Sequence, residues 1–277
     1  MDKKIGIVGL GLIGGSVALS LKGKVTKIVG VDTNEESLRL GLERGVIVKG
    51  STNPEILREV DIVILALYPK AILSFLRKHK HILNHKQLII DVGGIKKGVV
   101  AEAQAILGEG VEFLGTHPMA GREGSGFLKA REELFLGSNF IITPTERNGK
   151  ASIHLIEKLG YLLGASACYE LSPELHDQLI SHTSHLPHIM ACAYISNYLK
   201  DSDKIIGGSF RDVTRVAKIN ENLWSELFLA NKEENIKEIE HLILRLDELK
   251  NYIELDDEEN IRIFLRKARE IKEGLDQ

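Results

Sequence analysis

Gly9-Leu10-Gly11-Leu12-Ile13-Gly14 follows the apolar run 5–8 directly and leads into a helical pattern over residues 12–22. Glycine at position 9 permits the tight turn from strand to helix. At position 11 it lets a pyrophosphate approach the backbone, and at position 14 it lets the helix pack close against the strand. Phosphates placed there meet the N–H groups and positive dipole of the new helix. The second apolar run, 27–32, ends in Asp32, 18 residues after Gly14. An acid at that point accepts hydrogen bonds from an adenosine ribose and repels a 2′-phosphate. Thr33-Asn34 follows with no adjacent arginine, so the expected cofactor is NAD rather than NADP. The expected cofactor residues are Gly9, Leu10, Gly11, Leu12, Ile13, Gly14 and Asp32, with Leu67 closing the later run 61–67.

Outward from this loop, short β-rich runs alternate with helical patterns. The strand candidates are 5–8, 27–32, 61–67, 87–92, 111–116 and 139–143, and a last one at 166–171. They are near-continuous apolar runs, as parallel strands covered on both faces require. Helical patterns fall at 12–22, 34–44, 54–59, 69–83, 97–107 and 150–163. That alternation predicts an α/β fold, a Rossmann-type doubly wound parallel sheet. Beyond Pro173 no strand pattern is found. A long apolar helix is expected over 174–199, kinked at Pro187, with charged amphipathic helices at 220–253 and 256–274. The division predicted is a dinucleotide-binding domain over 1–172 and a helical domain over 173–277.

Composition sets the outer bounds. The 277 residues are 43% hydrophobic and 27% charged with a net charge of −3, and both signs are scattered. Nothing here favours nucleic acid or an acidic membrane surface as partner. No apolar run reaches the roughly 18 residues that span a bilayer. Met1 to Lys4 run straight into a strand pattern, so no leader is expected. Cys168 and Cys192 stand outside any CxxC or Cys/His ligand pattern and read as buried structural thiols in a reducing compartment. A cytoplasmic protein is the expectation.

A cofactor domain does not name a substrate. Three further stretches carry chemistry: Gly115-Thr116-His117-Pro118-Met119-Ala120-Gly121-Arg122-Glu123 at a strand end, Ser184-His185-Leu186-Pro187-His188, and Gly207-Gly208-Ser209-Phe210-Arg211-Asp212-Val213-Thr214-Arg215 with Trp224 beyond it. In this order and at these intervals they resemble the prephenate dehydrogenase family, over essentially the whole chain. The resemblance implies NAD-dependent oxidative decarboxylation of prephenate to 4-hydroxyphenylpyruvate on the route to tyrosine. It also implies a homodimer built through the helical domain.

The resemblance assigns roles residue by residue. His117 would accept the ring hydroxyl proton as hydride leaves, a task that suits a neutral imidazole. Arg215 would hold a substrate carboxylate, which a planar guanidinium does bidentately. Its structural alternative is a helical-turn pair with Asp212. His188 would reach the substrate side chain, His185 would stand behind it, and His182 would be a packing residue. Glu123, Asp212 and Trp224 would frame the site. Relatives often carry serine where this chain has Gly94, so a hydroxyl donor beside His117 is missing. His182, His185 and His188 have a spacing that metals use, but no accompanying glutamate, and no metal is expected. No helix bundle precedes the glycine loop and no regulatory domain follows the last helix pattern, as expected of a monofunctional form.

Other functions would draw on some of the same residues. Arogenate dehydrogenase differs only in the substrate side chain. A β-hydroxyacid dehydrogenase of the same plan would need a lysine on the interdomain helix, and 174–199 contains none. A non-catalytic NAD sensor would not need His117, Arg215 and His188 together.

Overall fold

The computed structural model describes residues 1–122 and 124–276. Its first half is one eight-stranded sheet in the order β3-β2-β1-β4-β5-β6-β7-β8. The strands are β1 (Lys4–Val8), β2 (Lys27–Val31), β3 (Lys49–Ser51), β4 (Ile62–Leu65), β5 (Leu88–Asp91), β6 (Glu112–Pro118), β7 (Asn139–Thr143) and β8 (Ala167–Glu170). The short edge strand β3 was not expected, because Lys-Gly-Ser carries no apolar run to announce it. Strands β1 to β6 are parallel, and the chain order reverses between β1 and β4, which puts the Gly9 loop at the switch point.

Alternate residues of the central strands feed two cores. Ile5, Ile7, Ile62, Ile64 and Ile90 face a layer that includes α1 (Leu12–Leu21) and α5 (Lys150–Leu163). Val8, Val63, Leu65 and Ile89 face one that includes α3 (Pro69–His79) and α4 (Lys97–Leu107). Burial on both faces explains the continuous apolar runs. On the β2 flank, α2 spans Glu35–Glu43 and is capped by Asn34.

One departure from an all-parallel sheet places a functional side chain. β6 pairs with β5 only as far as Gly115, then continues to Pro118 by antiparallel pairing with β7. His117, opposite Ile141, is thereby carried past the edge of the parallel sheet.

The second half is helical, and among the described residues no strand follows β8. The single helix expected over 174–199 is instead three pieces. α6 (Pro173–Ile180) is capped by Ser172, a π-helical turn follows at Ser181–His185, and α7 (Leu186–Ser196) continues. Pro187 has no N–H for the carbonyl four residues earlier, and the widened turn is where the backbone absorbs that loss. The helix expected over 220–253 also breaks. α8 spans Gly208–Thr214, α9 spans Glu221–Ala230 and α10 spans Lys232–Glu254. At the α9–α10 junction Asn231 leaves helical geometry, and its amide donates to the Asp177 carbonyl at 2.8 Å. α11 (Glu258–Leu275) ends the fold.

Candidate active site

Where β1 gives way to α1 the glycines have measurable reasons. Gly9 has φ +90°, and a Cβ there would stand 2.4 Å from the Ala66 carbonyl oxygen. A Cβ on Gly14 would stand 1.8 Å from the Gly9 carbonyl oxygen, whereas one on Gly11 would meet nothing within 4 Å. Tight packing at two glycines and open space at the third form a cradle for a dinucleotide pyrophosphate. The first turn of α1, from Leu12 and Ile13, has no side-chain cap and no acidic residue, which leaves its N–H groups to an anion. Leu67 packs on Gly9. Asp32 is fixed beside the loop, accepting from the Leu10 N–H at 2.6 Å and the Asn34 N–H at 2.8 Å. Arg39, the nearest arginine in sequence, is held by Glu36 at 2.6 Å and by Glu43, so it is not offered to a 2′-phosphate. These residues fit NAD.

At the end of β5 the chain runs Asp91-Val92-Gly93-Gly94-Ile95-Lys96. Lys96 and Asp91 form an ion pair with both side chains wholly buried. Burial pushes the Lys96 ammonium below its usual range, against the pull of Asp91. Asp91 also accepts the Gly93 N–H at 2.9 Å, which folds the loop back and brings Gly94 toward His117.

His117 stands at the head of a three-residue chain. Its Nδ1 lies 2.9 Å from His176 Nε2, and His176 Nδ1 lies 2.7 Å from Asp177 Oδ1. Asp177 further accepts the backbone N–H groups of Lys96 at 2.8 Å and Lys97 at 2.9 Å. The His117 pKa falls well below the usual histidine range, chiefly through burial, then through His176, Lys96 and His185 beside it. Burial lowers His176 as well, opposed by its bond to Asp177. Its Nδ1 is engaged by His176, which leaves Nε2 as the ring nitrogen free to face a substrate, and a Cβ on Gly94 would stand 3.9 Å from it. Such a nitrogen can take a proton.

Two family models now meet this geometry. Residues 17–169 match prephenate dehydrogenase, nucleotide-binding domain, and residues 172–267 match prephenate dehydrogenase, dimerization domain. The chain belongs to the prephenate dehydrogenase family. The prephenate dehydrogenase of Bacillus subtilis (strain 168) is 34% identical over 288 residues, an alignment covering 99% of this chain and 76% of the relative. The crystal structure of prephenate dehydrogenase from A. aeolicus in complex with hydroxyphenyl propionate and NAD+ aligns with a TM-score of 0.91 at 33% identity, covering 99% of this chain and 98% of that one. The Synechocystis arogenate dehydrogenase structure aligns with a TM-score of 0.86 at 26% identity, covering 98% and 99% of the two chains.

Apart from Glu123, the remaining residues that resemblance to prephenate dehydrogenases singled out come from the helical half. His185 is buried in the π turn, with Nδ1 3.0 Å from Asn235 Oδ1 and its ring edge-on to Trp224. His188, one turn on, has Nδ1 2.8 Å from the Ser184 carbonyl and stacks on Trp224 with ring centroids 3.8 Å apart. Burial first, and then Arg215, lower the His188 pKa against that carbonyl bond. Arg215, at the end of α8, is exposed and forms no ion pair with a carboxylate among the described residues, so the alternative pairing with Asp212 is not made. Asp212 is exposed on α8. Glu123 lies outside the described residues.

His182 does not pack, contrary to expectation: it is exposed and bonds Glu238 at 2.7 Å. No group of three or more His, Cys, Asp or Glu placed to hold a metal occurs among the described residues. The residues missed from sequence are Asp91, Lys96, His176 and Asp177. Their signals were a charge closing an apolar strand, a lysine in the loop beyond it, and a His-Asp pair just after the Ser172-Pro173 helix start.

Proposed function

We propose that the chain catalyses NAD-dependent oxidative decarboxylation of prephenate to 4-hydroxyphenylpyruvate, as a step in tyrosine biosynthesis. The observation that carries this reading is His117: a buried imidazole whose burial favours the neutral form, at the carboxyl edge of the sheet, with Nδ1 held by His176 and Nε2 near Gly94. NAD, when bound, supplies the hydride acceptor. His117 Nε2 takes the ring hydroxyl proton as the carbon bearing it loses hydride. Cleavage of the ring carboxylate bond then leaves its electron pair in the ring, which becomes aromatic, and CO2 departs. The new phenol oxygen recovers its proton.

Arg215 holds a substrate carboxylate, and its freedom from a carboxylate partner among the described residues supports that assignment. Trp224 and His188 form one wall at the side-chain end, backed by His185, with Gly94 beneath the ring hydroxyl and Asp212 at the rim. Glu123 is assigned to the same rim by resemblance alone. Gly9 to Gly14, Asp32 and Leu67 hold NAD. The functional halves divide between residues 172 and 173.

The assembly is a cytoplasmic homodimer. Ile243, Leu246 and Ile253 of α10 and Leu265 and Ile271 of α11 are exposed, an apolar surface that a second copy would cover. Among the described residues no helix is long and apolar enough to cross a membrane.

Arogenate is the second reading, and one feature favours it. The Ser184 carbonyl can only accept, so neutral His188 carries its proton on Nδ1 and offers a bare Nε2. That atom suits an ammonium donor better than a keto oxygen. Steady-state NAD reduction with each substrate tests both readings. Higher kcat/KM for prephenate supports the first, the reverse supports the second, and no turnover of either overturns both.

A further inference from the structure

We propose that His176, held by Asp177, is the positioning residue that decides which nitrogen of His117 carries the proton, and so keeps Nε2 bare toward the substrate. The inference rests on His117 being the proton acceptor.

With both rings neutral, as their burial favours, the bonds admit one assignment. Asp177 is oriented by two backbone donors, Lys96 N–H on Oδ1 and Lys97 N–H on Oδ2. An ionised carboxylate only accepts, so the 2.7 Å contact requires the proton of neutral His176 on Nδ1. The lone pair of His176 is then on Nε2, 2.9 Å from His117 Nδ1, which must donate. His117 is left with its lone pair on Nε2. Each step follows from the one before, and the whole begins at a carboxylate on α6.

A packing role alone does not account for His176. It is 1% exposed, and its two ring nitrogens serve Asp177 and His117. An aliphatic side chain would fill the same volume without the cost of burying an imidazole.

The charges around His117 make the arrangement consequential. From the β5–α4 connection comes Lys96, paired with Asp91; from the π turn comes His185; from α6 come His176 and Asp177. Lys96 opposes a proton arriving on His117. When Nε2 takes the substrate proton, the Nδ1–H bond to His176 becomes charge-assisted and strengthens, with Asp177 behind it. An interaction that grows only as the proton moves falls on kcat rather than KM.

Nitrogen-15 NMR of the substrate-free wild-type protein reads the tautomer directly. His117 should carry its proton on Nδ1. In His176→Ala the ring should populate both tautomers and kcat should fall about 10²-fold or more, with KM for prephenate and the affinity for NAD unchanged. His176→Gln, whose amide oxygen can replace Nε2 as acceptor, should restore the tautomer and recover kcat by roughly tenfold over alanine. A wild-type His117 protonated on Nε2 overturns the proposal without any variant. So does a His176→Ala enzyme with wild-type kcat, or one whose loss lies only in KM or NAD binding. A wild-type protein with the stated tautomer but no NAD reduction from prephenate would instead sink the functional reading and leave the bond assignment standing.

Discussion

A Cβ built on Gly94 stands 3.9 Å from His117 Nε2 and 3.8 Å from Leu227, ordinary van der Waals contact on both sides. Gly94 is not among the glycines of positive φ. A side chain therefore fits without backbone strain, and a hydroxyl on it would reach the space between His117 and the substrate oxygen. Gly94→Ser should fold normally, with kcat unchanged or raised by up to about tenfold, the worth of one hydrogen bond. Steady-state kinetics decide it; an inactive folded variant would show that the bound nicotinamide needs that space.

Removing the base and removing the carboxylate clamp should separate kinetically. His117→Ala should lose about 10²–10⁴-fold in kcat while binding NAD as before, because the glycine loop is untouched. Arg215→Ala should raise KM for prephenate by roughly ten- to hundredfold with a smaller effect on kcat, since the carboxylate is charged before and during reaction. Equal losses in kcat from both would contradict the division of labour.

Cofactor choice should follow Asp32. With Arg39 tied to Glu36 and Glu43, little else opposes or favours a 2′-phosphate. Asp32→Asn removes the charge and should raise KM for NAD by about tenfold while improving use of NADP. Unmodified protein that uses both cofactors equally would refute the assignment.

Much of this was legible in the chain, for reasons that differ by element. The parallel strands announced themselves because burial on both faces demands continuous apolar runs, and the glycine loop because its spacing is set by the geometry of a pyrophosphate. His117, His188 and Arg215 came with motifs. His176 and Asp177 carried no such mark, since a bond from α6 to β6 depends on how two halves dock and not on local spacing. The break at Asn231 was hidden likewise: apolar residues keep helical spacing through it, and the bond to the Asp177 carbonyl that marks the break is long-range.

Substrate preference should vary with pH through His188. Its pKa is lowered by burial, so the neutral ring with bare Nε2 prevails near neutrality. A keto side chain needs the protonated ring as donor, so KM for prephenate should fall as pH drops toward that pKa. KM for arogenate should hold steady or rise over the same interval. Parallel pH profiles of KM for the two substrates would remove His188 from the side-chain contact.

Acid should also loosen the fold. His117, His176, His185 and His188 all have pKa values depressed by burial. Unfolded histidine titrates near about 6.5, so the unfolded chain gains protons below that pH before the folded one does. Stability is full above that value and is lost as pH falls toward the depressed values. The melting temperature should be flat from pH 8 to 7 and decline steadily from about 6.5 to 5; a flat profile throughout would contradict the burial of these rings.

Asp177 belongs to the helical half yet holds the backbone where α4 begins, in the nucleotide-binding half. The two halves are therefore not interchangeable modules. A chimera joining this nucleotide-binding half to a relative's helical half inherits a working acid–base centre only if a matching His-Asp pair comes with the graft. Exchange of parts between relatives is thus restricted by a few atoms at the seam, whatever the overall likeness of the folds.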